Sequence, residues 1–217
     1  MILLAPCGSP APWRAGLLAP AAHAEDPLGP WQRHERPHNP HRQFRASLGK
    51  VLPNVTRFRR VGLITYGPGP WQQRNVHLNL KPTANAAAEI IGVVSTLTPS
   101  GKTPLTAGDV QAAEVLEYRT EAGVIVLLTD GEETCGGSPC SVAKLLRSAV
   151  RQLTVHVIGL LVKNYTWTGE QSVTETKCLA SETGGYYITV ETEGKLTETL
   201  QKALGCPMMT ERPLARR

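Results

Sequence analysis

The chain has 217 residues, 41% of them hydrophobic and 19% charged, with a formal net charge of +5. That length suits one domain of about 150–200 residues, and no apolar run approaches the roughly 20 residues a membrane helix needs. Residues 1–60 carry nine Lys/Arg against three Asp/Glu and the remainder fourteen against fifteen, so the basic excess belongs to the front end, where no nucleic-acid module accompanies it.

In chain order, residues 1–24 end in the small-residue run LLAPAAHA, which has the A-x-A form of a signal-peptidase site after Ala24. This segment reads as a signal peptide and implies an exported, periplasmic product; the alternative is a low-complexity tail on a cytoplasmic protein. Residues 25–43 are irregular and rich in Pro, Arg and His, and His34, His38 and His41 fit a solvated loop better than a metal site. Phe44, Leu48, Val51 and Leu52 recur at helical spacing, and Pro53 predicts the helix end.

VGLITY (61–66) is a buried strand closed by the turn-forming GPGP, and NVHLNL (75–80) alternates like an edge strand. A helix comes next over 85–97 with Asn85 as its cap. The helix after it is entered through a glycine loop, with Thr103 at the N-cap and Pro104 at the first helical position. VIVLLTD (124–130) is a central strand, Ser138 and Pro139 open another helix, and LTVHVIGLLV (153–162) is a further buried strand. A Ser172-x-x-Glu175 capping box starts a helix that closes at Gly184. A strand at 186–190 and a helix at 195–204 complete the domain (44–206), leaving a frayed tail at 207–217. Strands alternating with helices predict a doubly wound, mostly parallel α/β sheet with helices on both faces.

Cys7 would leave with a signal peptide, so Cys135, Cys140, Cys178 and Cys206 make an even set with three connectivities. The favoured pairing is Cys135–Cys140, a small loop, with Cys178–Cys206 tying the last two helices together. No catalytic motif converges: there is neither a G-x-S-x-G elbow nor an H-E-x-x-H helix. His77 and His156 fall inside strands and read as structural.

VIVLLTDGEET runs a buried strand straight into Asp130, Gly131, Glu132 and Glu133. Ligand crevices of open α/β sheets lie beyond such strand ends, and carboxylates there suit hard divalent cations. RRVGLITYGPG, GKTPLTAGDVQAAEVL, VIVLLTDGEET, VHVIGL and LASETGGYY, taken in that order, resemble a von Willebrand factor type A domain of bacterial type over roughly 44–204. The resemblance implies a doubly wound fold and a metal-ion-dependent adhesion site built from three loops. Thr103 matches its threonine ligand and Asp130 its aspartate after the fourth strand. The first loop, Asp-x-Ser-x-Ser, has no counterpart, and 25–43 contains no strand-like run, so the first central strand is missing or replaced. One account of the gap is a reading-frame change upstream of about residue 44, since the next frame over 29–34 permits an aspartate followed by small residues.

The resemblance therefore implies a non-enzymatic domain that binds a protein partner through the Thr103/Asp130 loop face, with at most weak Mg²⁺ or other divalent-cation binding. Glu132 and Glu133 read as a solvated turn. The alternatives are a truncated or frame-altered product with no independent activity, and a metal-dependent hydrolase, which would need a general base beside Asp130.

Overall fold

The computed structural model describes residues 2–4, 14–19, 40–67, 74–97, 102–129, 133–148, 153–160 and 170–204. Its strands are β1 (Ile2–Leu4), β2 (Arg14–Ala19), β3 (Val61–Tyr66), β4 (Val76–Thr83), β5 (Gly123–Thr129), β6 (Leu153–Leu160) and β7 (Tyr187–Val190). Its helices are α1 (Pro40–Val55), α2 (Ala87–Thr96), α3 (Leu105–Val115), α4 (Pro139–Arg147), α5 (Glu170–Glu182) and α6 (Glu193–Leu204). The strands form one sheet in the order β4-β3-β2-β1-β5-β6-β7. The pairs β2–β3, β5–β6 and β6–β7 are parallel, and β4 is an antiparallel edge on β3.

The two faces of the sheet are covered separately, as the unbroken apolar runs of β3 and β5 require. Val126 and Leu128 pack with Phe44, Leu48, Ile90 and Leu200 on the face of α1, α2 and α6. Ile125 and Leu127 pack with Leu105, Ala113, Val142 and Leu179 on the face of α3, α4 and α5. This is the expected doubly wound architecture.

The central place, expected to be missing or replaced, is filled from the N-terminal segment. β2 runs parallel to β3 from Ala15 opposite Val61 to Ala19 opposite Thr65, and it meets β5 directly where Arg14 lies opposite Gly123. From there β2 and β5 diverge. The three residues of β1 occupy the wedge between them, antiparallel to both. Both strands come from the stretch read as a leader, so cleavage after Ala24 would remove the middle of this sheet. Residues 25–39 lie outside the described part.

Several element ends differ from expectation. Pro53 lies inside α1. It falls in the last turn, where its missing N–H forfeits a single bond, and buried Phe44, Leu48, Val51 and Leu52 hold the helix in place. Asn85 does not cap α2: Ala86 is the N-cap without a side-chain bond, and Asn85 takes a left-handed turn conformation with φ of 56°. Ser138 does cap α4, its hydroxyl accepting from the Ser141 N–H with Pro139 next in the chain. The Ser172/Glu175 box does not open α5, which already starts at Glu170.

The cysteine pairing differs too. The disulfide joins Cys140 to Cys178, with their Cα atoms 5.2 Å apart, and Cys135 is a free thiol. Both favoured pairs are thereby overturned, because α4 packs along α5 and brings Cys140 opposite Cys178. Cys206 lies outside the described residues. Glu175, freed from any capping box of its own helix, reaches across the same junction. Its carboxylate accepts from the Ser138 hydroxyl at 3.0 Å and the Cys140 N–H at 3.0 Å, a favourable place for negative charge at a helix N-terminus.

Candidate functional site

The carboxyl ends of β3 and β5 open toward the loop that enters α3. Thr103 is buried in that loop. Its N–H donates to the Thr134 hydroxyl at 2.7 Å, and its carbonyl accepts from the Thr134 N–H at 3.1 Å. This reciprocal pair stitches the α3 entry to the segment beyond β5. Thr103 is not the helix cap; Pro104 holds that place and provides no side-chain acceptor.

The cap comes from elsewhere in the chain. Glu133 Oε2 accepts from the Thr106 N–H at 2.8 Å and the Thr106 hydroxyl at 2.8 Å, while Oε1 accepts from the Cys135 N–H at 2.7 Å. Glu133 thus satisfies a donor that the helix itself leaves unpaired, and its charge complements the positive end of the α3 dipole. The solvated-turn reading fails for Glu133; Glu132 lies outside the described residues. Gly137 closes over this contact. A Cβ there would stand 2.0 Å from Thr106 Oγ1 and 2.4 Å from Thr106 Cβ, so only glycine allows the loop to lie this close.

Two groups at this end of the sheet escaped the sequence reading. Asp109, one turn beyond Thr106, is completely buried, and neither carboxylate oxygen has a hydrogen-bond partner among the described residues. Burial, and then the charge of Glu133, push its carboxyl well above the ordinary value of 3.8. The signal was present: Asp109 falls on the same helical stripe as Leu105, Ala112, Ala113 and Leu116, the inward face of α3. Tyr66, the last residue of β3, sends its hydroxyl to the Leu128 carbonyl at 2.5 Å. Leu128 lies beyond the three β5 residues that β1 pairs, so a side chain supplies a donor where that neighbouring strand has ended. A buried tyrosine needs such a partner, though sequence alone could not name it.

Asp130, the other expected ligand, lies outside the described residues, so its distance to Thr103 is not part of this geometry. Among the described residues no three His, Cys, Asp or Glu side chains gather as a cation cage. Both oxygens of Glu133 are already engaged by protein donors. Burial and the Glu133 carboxylate raise the pKa of the Cys135 thiol, which leaves it a poor nucleophile. His156 stacks on Tyr186 with ring centroids 4.0 Å apart and accepts from the Tyr186 N–H at 3.3 Å, as a structural histidine does.

A two-faced sheet whose α3 entry is stitched to the end of β5 is the frame on which the family comparison bears. The model of the von Willebrand factor type A domain matches residues 38–203. The chain belongs to that family.

Type A domains generally mediate protein interactions, often through a metal ion. This one is 32% identical over 111 residues to the uncharacterised protein YwmD of Bacillus subtilis (strain 168), across 50% of this chain and 47% of that protein. It is 41% identical over 68 residues to YwmC of the same organism, across 30% of this chain and 29% of that protein. The matched stretches thus span half or less of these curated relatives. An aerotolerance-related membrane protein from Bacteroides fragilis NCTC 9343, carrying multiple mutations to serines, superposes with a TM-score of 0.59 at 17% identity. That match covers 88% of this chain and 98% of the other. Proximal thread matrix protein 1 of the mussel byssus, with zinc in its MIDAS motif, gives 0.57 at 19% identity over 88% of this chain and 44% of that one. These structural likenesses establish the type A fold. No helix among the described residues is long and apolar enough to cross a membrane.

Proposed function

We propose that this type A domain binds a protein partner through the loop face carrying Thr103 and Asp130, without catalysing a reaction. The observation behind this reading is the reciprocal Thr103–Thr134 bonding, which holds the α3 entry beside the chain leaving β5. Thr103 and Asp130 would hold a divalent cation there, whose chemistry is to accept a further oxygen ligand from the partner. With no first-loop Asp-x-Ser-x-Ser, binding is weak, because two protein ligands compete poorly with the hydration shell of Mg²⁺. Export fits the Cys140–Cys178 bridge, since such bonds persist in oxidising compartments.

Calorimetry with Mg²⁺ and Mn²⁺ tests the cation half: heats saturating only at millimolar metal, and absent in Asp130→Ala, are expected. Micromolar affinity lost in that variant would mean that the site is intact. Photo-crosslinking from Thr134, which is exposed, against a probe at Leu145 on α4 tests the partner half; equal capture from both positions would remove the loop face from consideration.

A second reading is a frame-altered product without activity of its own. It is favoured by the filling of the central wedge with three antiparallel residues. Cooperative unfolding of the purified chain would argue against it.

A further inference from the structure

At the end of the molecule opposite the loop face, α1, α6 and the link from α1 into β3 border a shallow groove of about 240 Å³. Val51, Val55 and Leu204 supply its apolar part, Asn54 and Gln201 its polar margin, and Phe58 and Arg59 the side from which β3 departs. Phe58 is 72% exposed, the most exposed of the large apolar side chains among the described residues. Its backbone is nonetheless fixed. The Phe58 and Arg59 N–H groups both donate to the Val55 carbonyl at 3.1 Å, and the Thr56 carbonyl accepts from the Asn85 N–H at 3.0 Å.

A single exposed ring is ordinary; here it stands beside an apolar groove and among charges of one sign. Arg57 and Arg60 are exposed and adjoin the lining residues Phe58 and Arg59 in the chain. Neither joins an ion pair among the described residues. Arg59 brings a third guanidinium to the groove, and no described carboxylate lines it. Burial lowers the pKa of Arg59, but an arginine keeps its charge at such a site. The depression is apolar within and positive at its margin.

The occupants differ in what they require. Small-molecule pockets begin at roughly 300 Å³, above this volume. A stable second copy needs about 1,000 Å² of buried surface, and a two-fold contact presents the same patch from both sides, which sets arginine against arginine. A lipid surface covers protruding side chains and leaves a concave wall unfilled. A short acidic segment meets all the features at once: one apolar side chain fills the groove, and carboxylates beside it pair with the flanking guanidiniums.

We propose that this groove receives a short acidic segment of a partner protein. Its apolar anchor packs on Val51, Val55, Leu204 and the Phe58 ring, and its carboxylates meet Arg57 and Arg60. The site is separate from the loop face and stands or falls independently of it.

The test titrates the full chain into a fluorescein-labelled Glu-Asp-Leu-Glu-Asp peptide and follows polarisation. Saturation by about 1 mM at low salt is expected, weakening as salt is added. Affinity should fall about ten-fold in Phe58→Ser, in Arg57→Glu/Arg60→Glu, and for a peptide with serine in place of leucine. The serine peptide reads the apolar anchor without altering the protein, so a folding defect in a variant cannot mimic the result. Leu145→Ser removes an exposed apolar side chain on α4 and should leave binding unchanged. Absence of saturable binding, full affinity in either groove variant, or equal affinity for the serine peptide would each overturn the proposal. Tighter, Phe58-dependent binding to phosphatidylglycerol vesicles would overturn it in favour of a membrane contact.

Discussion

Asp109 is the residue whose surroundings make the strongest demand. A carboxyl with no partner in the core is held in its neutral form, and ionising it is penalised. Its folded-state pKa is raised above 3.8, so stability is retained below that value, where both states hold the proton. It is lost as the pH rises from there toward the folded-state value. Asp109→Asn should therefore stabilise the protein at neutral pH by about 1–3 kcal/mol, with the gain vanishing near the ordinary carboxylate pKa; urea midpoints across that range measure it. His156 acts in the opposite sense. Burial, and then Lys202, lower it from 6.5 to about 4, so stability should fall as the pH drops through that interval and should persist doing so in Asp109→Asn. Gly137 makes a steric demand instead. Gly137→Ala must displace Thr106 from Glu133 and should cost about 1–3 kcal/mol, read as a lower urea midpoint with an unchanged slope.

At the scale of elements, α3 and α4 are each held at the N-terminal end by a carboxylate from another part of the chain. Glu133 caps α3 from the β5 loop, Glu175 caps α4 from α5, and Cys140–Cys178 closes the same junction. Removing the bridge with Cys178→Ala should lower stability by about 2–4 kcal/mol, as expected for a closed loop of this length. Cys135→Ser should leave thermal unfolding unchanged, because Cys135 is a free thiol. These ties also mark the limit of legibility. Ser138 and Pro139 could be placed from local spacing because helix entry is governed by neighbours in sequence, although the same reasoning put Thr103 at the N-cap that Pro104 holds. Glu133 and Glu175 could not, since local pattern made the first a solvated turn and the second part of its own helix's capping box, whereas each caps a helix remote in the chain. The disulfide obeyed the same rule: Cys135 and Cys140 are near in sequence, but α4 against α5 decides the partner.

For the whole molecule, the central wedge is decisive. β3 and β5 both rely on N-terminal strands for pairing on their inner edges, and unpaired backbone groups buried there are costly. Deleting residues 1–24 should abolish cooperative thermal unfolding by calorimetry, whereas a sharp transition in the truncated chain would show that these strands are dispensable. The same measurement bears on the leader expectation. A mature chain starting at Glu25 and this seven-stranded sheet exclude each other.

The sequence by itself determined the architecture. Apolar runs of β-branched and leucine residues alternating with amphipathic segments admit a sheet covered on both faces and little else, because each run must bury both of its sides. It also located the loop of Thr103 by its glycine and proline punctuation. Tertiary structure alone decided which carboxylate caps which helix, which cysteines join, that Asp109 lies without a hydrogen-bond partner among the described residues, and which strands fill the centre. Those outcomes depend on distances between segments remote in the chain, and no local pattern of residues encodes such distances.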